Sequence, residues 1–103
     1  MDFLVEVLRE DKPDGSIHLF ARGHITTKEA NILDLRIDKA FEEEPPIILL
    51  DMLGVKFLSS MGIRVLLSAY KRTFKGQTKF KIVNPSENVR NVLGMVALND
   101  LLM

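Results

Sequence analysis

Residues 47–52, IILLDM, constrain the fold most. The run is short, almost wholly apolar and flanked by chain breakers, with Pro45 and Pro46 immediately before it. A strand that is apolar on both faces belongs in the middle of a sheet with parallel neighbours. Parallel neighbours require crossover connections, so the segments on either side must supply helices.

The flanking segments do so. Thr26-Thr27-Lys28-Glu29 has the form of a capping box, in which Thr26 accepts from the Glu29 amide and Glu29 reaches back. Ala30, Leu33, Ile37, Ala40 and Phe41 follow on one helical face. Glu42, Glu43 and Glu44 read as a solvated helix end, and the two prolines stop the helix. Beyond IILLDM, residues 53–58 (LGVKFL) read as a loop. Ser59 and Ser60 then precede a stripe of Ile63, Leu66, Leu67, Tyr70 and Phe74, closed at Lys75-Gly76.

The ends of the chain complete the pattern. Residues 3–8 and 16–23 alternate as strands around an Asp14-Gly15 turn and form a hairpin. His18 then falls on the solvent side or rim of the second strand. Residues 78–84 alternate again. Ser86 is a candidate N-cap for a helix that turns Val89, Val92, Leu93 and Val96 inward. The order is β-β-α-β-α-β-α. The expected fold is an α/β domain spanning residues 1–103, with a mixed, largely parallel four- to five-stranded sheet packed by three to four helices.

Composition narrows the function. The chain has 103 residues, enough for one core but not several. Lys plus Arg is 14 and Asp plus Glu is 14, so no overall basic charge favours direct nucleic-acid binding. There is no cysteine, which excludes disulfides and thiolate chemistry. His18 and His24 are not at a ligand spacing, and no metal or cofactor is expected. The first residues lack the pattern of a signal peptide, and the longest apolar runs are far below the ~20 residues of a membrane span. The expectation is a cytoplasmic protein with no membrane segment.

Enzyme motifs are missing. The sequence holds neither GxGxxG nor GxxxxGK[ST], and no GxSxG elbow with a His and carboxylate to activate a serine. The reading is therefore a non-enzyme with no catalytic residues. The serine pair remains. A serine at a helix start caps an amide. The same place carries free amides and a partial positive charge, so it tolerates a phosphate of about −1.5 to −2 charges. Such a charge can repel a docked partner while the local fold survives.

Three stretches carry a resemblance over nearly the whole chain: ARGHITTKEANIL, IILLDMLGVKFLSSMGIRVLL and KIVNPSENVRNVLGMVALNDLL. They are similar, in order, to the STAS domain of the anti-sigma factor antagonists, whose central pattern is Asp-Leu-x-x-Val-x-Phe-x-Asp-Ser-x-Gly-Leu-x-x-Leu. The resemblance implies a regulatory protein-binding module in bacterial signalling and transcription regulation. Ser60 matches the family's phosphorylated serine, and Gly62 its glycine. The implied partners are a serine kinase that is also an anti-sigma factor, and a phosphatase. A weak homodimer is left open. The implied contact surface comprises Thr26, Thr27, Lys28, Ser59, Ser60, Met61, Gly62 and Arg64, with the missing side chain of Gly62 admitting another backbone. Two acids of the family pattern are replaced, by Ser59 before the serine and by Thr26 at the end of the Gly-x-x-Asp turn. Met61 stands where the family has a small residue. The alternative implied by the lost acids is a STAS adaptor that is not phosphorylated, in a signalling or transport assembly.

Overall fold

The computed structural model describes residues 5–102. A four-stranded sheet runs in the spatial order β1 (Val5–Asp11), β2 (Ile17–Ile25), β3 (Ile47–Leu58), β4 (Lys79–Val83). β1 and β2 form the antiparallel hairpin, with Asp11 opposite Ile17. β2 and β3 pair in parallel, as do β3 and β4. The crossovers are α1 (Thr27–Glu42) and α2 (Ser60–Thr73). α3 (Glu87–Met95) follows β4, and a 3-10 turn leads to Leu102, which forms a single parallel bridge with Ile82. The mixed sheet and the element order are those expected from the sequence. Residues 3–4 of the first expected strand lie outside the described residues.

One face of the sheet makes the core. Ile17, Leu19 and Ala21 of β2, Ile48, Leu50 and Met52 of β3, and Phe80 and Ile82 of β4 are buried together. The helices close over them with Leu33 and Ile37 of α1, Leu66 and Ala69 of α2, and Val89 and Leu93 of α3. Burying a Leu, Ile or Phe side chain is worth about 1.5–3 kcal/mol, so this face supplies most of the stability. Arg9 binds β1 to the end of α1 by a two-pronged contact with Glu43. That contact holds the Glu43 carboxyl below the usual carboxylate range. None of the described helices is long and apolar enough to cross a membrane.

Three local expectations are corrected. Residues 53–58 are not a loop: β3 continues through them to Leu58, pairing Gly54, Val55, Phe57 and Leu58 with residues 22–25 of β2. Irregularities between Phe20 and Arg22 and between Gly23 and His24 break the alternation that a strand normally shows. Gly54 is required there, because a Cβ would lie 2.6 Å from the Arg22 Cβ. Phe74 is not part of the inward stripe of α2. It is the C-cap, 72% exposed, and stacks edge-on against Tyr70 at 5.1 Å. Val96 likewise follows the end of α3 and is exposed.

Candidate functional site: two helix starts side by side

Ile25 ends β2 and Leu58 ends β3, and the two residues are register partners. The next residue of each chain segment is an N-cap, Thr26 for α1 and Ser59 for α2. The Ser59 amide donates to the Ile25 carbonyl at 2.8 Å, which locks the two turns together. Two helices therefore begin next to each other at one end of the sheet. Thr27 and Ser60 are their first helical residues, and Lys28 and Met61 the second. Helix starts concentrate unpaired amides and partial positive charge, so the juxtaposition doubles both.

The caps divide the labour between the serines. The Ser59 hydroxyl accepts from the Gly62 amide at 3.1 Å. Ser60 does not cap. It is exposed, and its hydroxyl has no hydrogen-bond partner among the described residues. In α1 the Thr26 hydroxyl accepts from the Glu29 amide and donates to the buried Glu29 carboxylate. The capping box is thus completed through the hydroxyl. Ser59→Ala is expected to lower stability by about 1 kcal/mol, whereas Ser60→Ala stays within about 0.5 kcal/mol. Urea unfolding of the two variants measures the difference, and equal losses would remove the distinction between cap and free hydroxyl.

The residues singled out from the sequence do converge here. Thr27, Lys28, Ser60, Met61 and Arg64 are exposed, and Thr26 and Ser59 are half-buried at their bases. Gly62 is different: it is buried, and a Cβ would sit 2.6 Å from Leu58 Cδ1 and 3.1 Å from Ile25 Cγ2. The absence of a side chain is demanded by the domain's own packing. Any approach of a partner to Gly62 is limited to what lies above its backbone. Phe57 was assigned no role in the sequence, because residues 53–58 read as a loop. It is 47% exposed at the end of β3, two residues before the cap and opposite His24 of β2. Lys56 flanks it, and its carbonyl accepts from the side chain of Asn88 at the start of α3.

Lys28, Lys56 and Arg64 are exposed and have no carboxylate partner among the described residues. The replacement of the two family acids is legible in this setting. Positions 26 and 59 cap helices, a task that Asp, Ser and Thr all perform. A neutral cap keeps the local geometry and removes a negative charge from beside Ser60.

The family model for the STAS domain matches residues 9–102. No curated protein sequence matches the chain. Among solved structures, an anti-sigma factor antagonist from Mycobacterium paratuberculosis superposes with a TM-score of 0.83 at 26% identity, covering 95% of this chain and 82% of that one. The anti-sigma factor antagonist SpoIIAA in its unphosphorylated form gives 0.77 at 19% identity, covering 95% and 86%. The Bacillus cell fate determinant SpoIIAA in its phosphorylated form gives 0.72 at 18% identity, covering 95% and 89%. With nearly every residue matched to the family model, and the sheet order, crossovers and serine-led helix in their places, the chain belongs to the STAS domain family.

Proposed function

We propose that this domain is an anti-sigma factor antagonist whose docking surface is the twin helix start, and that phosphorylation of Ser60 turns docking off. The observation that carries the reading is the state of Ser60: first in its helix, exposed, and released from capping by Ser59. A kinase can reach that hydroxyl without unfolding the helix. Transfer of the γ-phosphoryl group of ATP to Ser60 Oγ releases ADP and the hydroxyl proton, which a base of the kinase accepts. The product places about two negative charges on helix amides that favour them. The related antagonists described in unphosphorylated and phosphorylated forms support a switch of this kind. The kinase, which doubles as the anti-sigma factor, is the proposed partner; a phosphatase restores the docking form.

Beside Ser60 the two helix starts expose the apolar side chain of Met61 and the cations Lys28 and Arg64. This surface therefore fits a partner surface that is apolar in the middle and acidic at its border. A second reading, a STAS adaptor without phosphorylation, is favoured by one observation: both caps beside Ser60 are neutral where the family pattern has acids. Intact-mass measurement after incubation with the cognate kinase and ATP separates the two. The antagonist reading expects one added phosphate in the wild type and none in Ser60→Ala. No mass gain in the wild type would give the adaptor reading the field.

A further inference from the structure

We infer that the cleft between β1 and α1 binds a small oxyanion of the phosphate class, at a site separate from Ser60. Val5 and Val7 turn toward the helical side of the sheet, and Arg9, two residues on, follows them to reach Glu43 of α1. In the register Arg9 stands opposite Leu19 of β2. α1 packs over both strands without closing the space beside β1. A cleft of about 130 Å³ remains, lined by Val7, Leu19, Arg9, Arg36 and Lys39. Two of these residues are aliphatic and the other three are cations. Among the described residues no carboxylate lines the cleft.

Cations that share a cleft repel one another, so their convergence needs a cause. The domain itself accounts for Arg9. Its Nε donates to Asp11 and its two Nη atoms donate to Glu43, which fixes the guanidinium in place. A guanidinium carries five N–H donors, so the three spent there leave two. Lys39 lies in the last turn of α1, where the helix end favours a cation. It feels the field of Glu43 but forms no ion pair with it. Arg36 has neither reason to be there. It lies a turn before that end and has no ion pair among the described residues. Elsewhere α1 matches its charges to its neighbours, Asp38 to Arg72 of α2 and Glu43 to Arg9 of β1. A bound oxyanion supplies the missing counter-charge. It accepts charge-assisted hydrogen bonds from Arg36 and Lys39, with Arg9 already held beside them.

The cleft has the volume of about four waters, which suits a phosphate group and excludes a nucleobase or a peptide. Ile32 and Leu35, 44% and 68% exposed, precede Arg36 and Lys39 by one turn on the same helix. An aliphatic group carried by the phosphate would lie on them. Amide-resolved nuclear magnetic resonance of the full chain tests the site, with sodium phosphate titrated against sodium chloride at matched ionic strength. Phosphate is expected to shift the amides of Val7, Arg9, Arg36 and Lys39 and to saturate in the millimolar range. Arg36→Gln and Lys39→Gln should each weaken binding by at least about fivefold. Lys71→Gln, which removes an exposed cation of α2 from outside the cleft, should leave binding unchanged. All three residues are exposed, so circular dichroism of the variants should match wild type. Hexyl phosphate is the second probe. Binding at least about threefold tighter than inorganic phosphate assigns the site to a phosphate monoester on an aliphatic chain. Equal or weaker binding assigns it to the free ion. A phosphate response no different from that to chloride overturns the proposal, as does an equal loss in Lys71→Gln. Shifts centred on Ser60 and Met61 overturn it by placing the anion at the helix starts.

Discussion

Phe80→Ala is expected to destabilise the domain by about 3–5 kcal/mol, the range for emptying a buried aromatic site. Phe80 has no exposed surface and pairs in the sheet with Ile48, which has none either. Its ring lies 6.2 Å from that of Phe41 at the end of α1. Phe41 in turn carries the Arg72 guanidinium over its face at 4.1 Å, and Arg72 forms an ion pair with Asp38. One side chain thus supports the point where α1, α2 and β4 meet, and the neighbours that would have to collapse into the space are held by their own contacts. A domain of this size has a total stability of about 5–15 kcal/mol. At roughly 4–8 °C per kcal/mol, the melting temperature should fall by more than 12 °C. Thermal unfolding followed by far-ultraviolet circular dichroism measures the loss. Phe74→Ala provides the internal contrast. It removes the same ring from a position 72% exposed and should move the transition by only a few degrees. Similar losses for both phenylalanines would mean that the inward and outward faces have been assigned wrongly.

The contrast between the two phenylalanines also explains which parts of the fold were legible. α1 was read residue for residue, because Ala30, Leu33, Ile37, Ala40 and Phe41 lie on one uninterrupted helical face. In α2 the same periodicity carried on one residue beyond the helix to Phe74, since a spacing rule has no knowledge of where the last turn ends. The second half of β3 was missed because its buried residues, Val55 and Leu58, are three apart, a consequence of the register shifts against β2. Those shifts are relations between two chain segments, and no local pattern reports them. The site was partly readable for the same reason. Each helix start announced itself, one by a capping box and one by a serine pair. That the two lie side by side follows from the pairing of Ile25 with Leu58, across more than thirty residues of sequence. The buried contact of Gly62 with Leu58 is another product of that junction. Local sequence presented the glycine as open surface; the fold places it under the surface.

If the domain docks an anti-sigma factor kinase as proposed, Ser60→Glu should weaken that binding by at least about 100-fold while the domain stays folded. The two halves of this expectation have separate origins. In the isolated domain a carboxylate at the first helical position faces the positive end of α2, with the start of α1 alongside. A charge so placed stabilises a helix by about 0.3–1 kcal/mol, so the melting temperature should hold or rise slightly. In the complex, the same carboxylate would be covered by a partner docked on Met61, the exposed apolar residue next to it in the first turn of α2. Removing an unpaired charge from water costs several kcal/mol, and a loss of about 2.7 kcal/mol is already 100-fold in affinity. Acidic groups at the border of the partner, drawn to Lys28 and Arg64, would add repulsion. Ser60→Ala has neither effect and should bind within about threefold of wild type. Ser59→Ala completes the set: it loses the cap and therefore stability, yet leaves no charge at the contact. Isothermal titration of the three variants with the kinase, run beside thermal unfolding, resolves binding from folding. A Ser60→Glu form that binds within threefold of wild type would detach Ser60 from the docking surface. One that melts well below wild type would show that the hydroxyl serves the fold, and the switch would have to be sought at another residue.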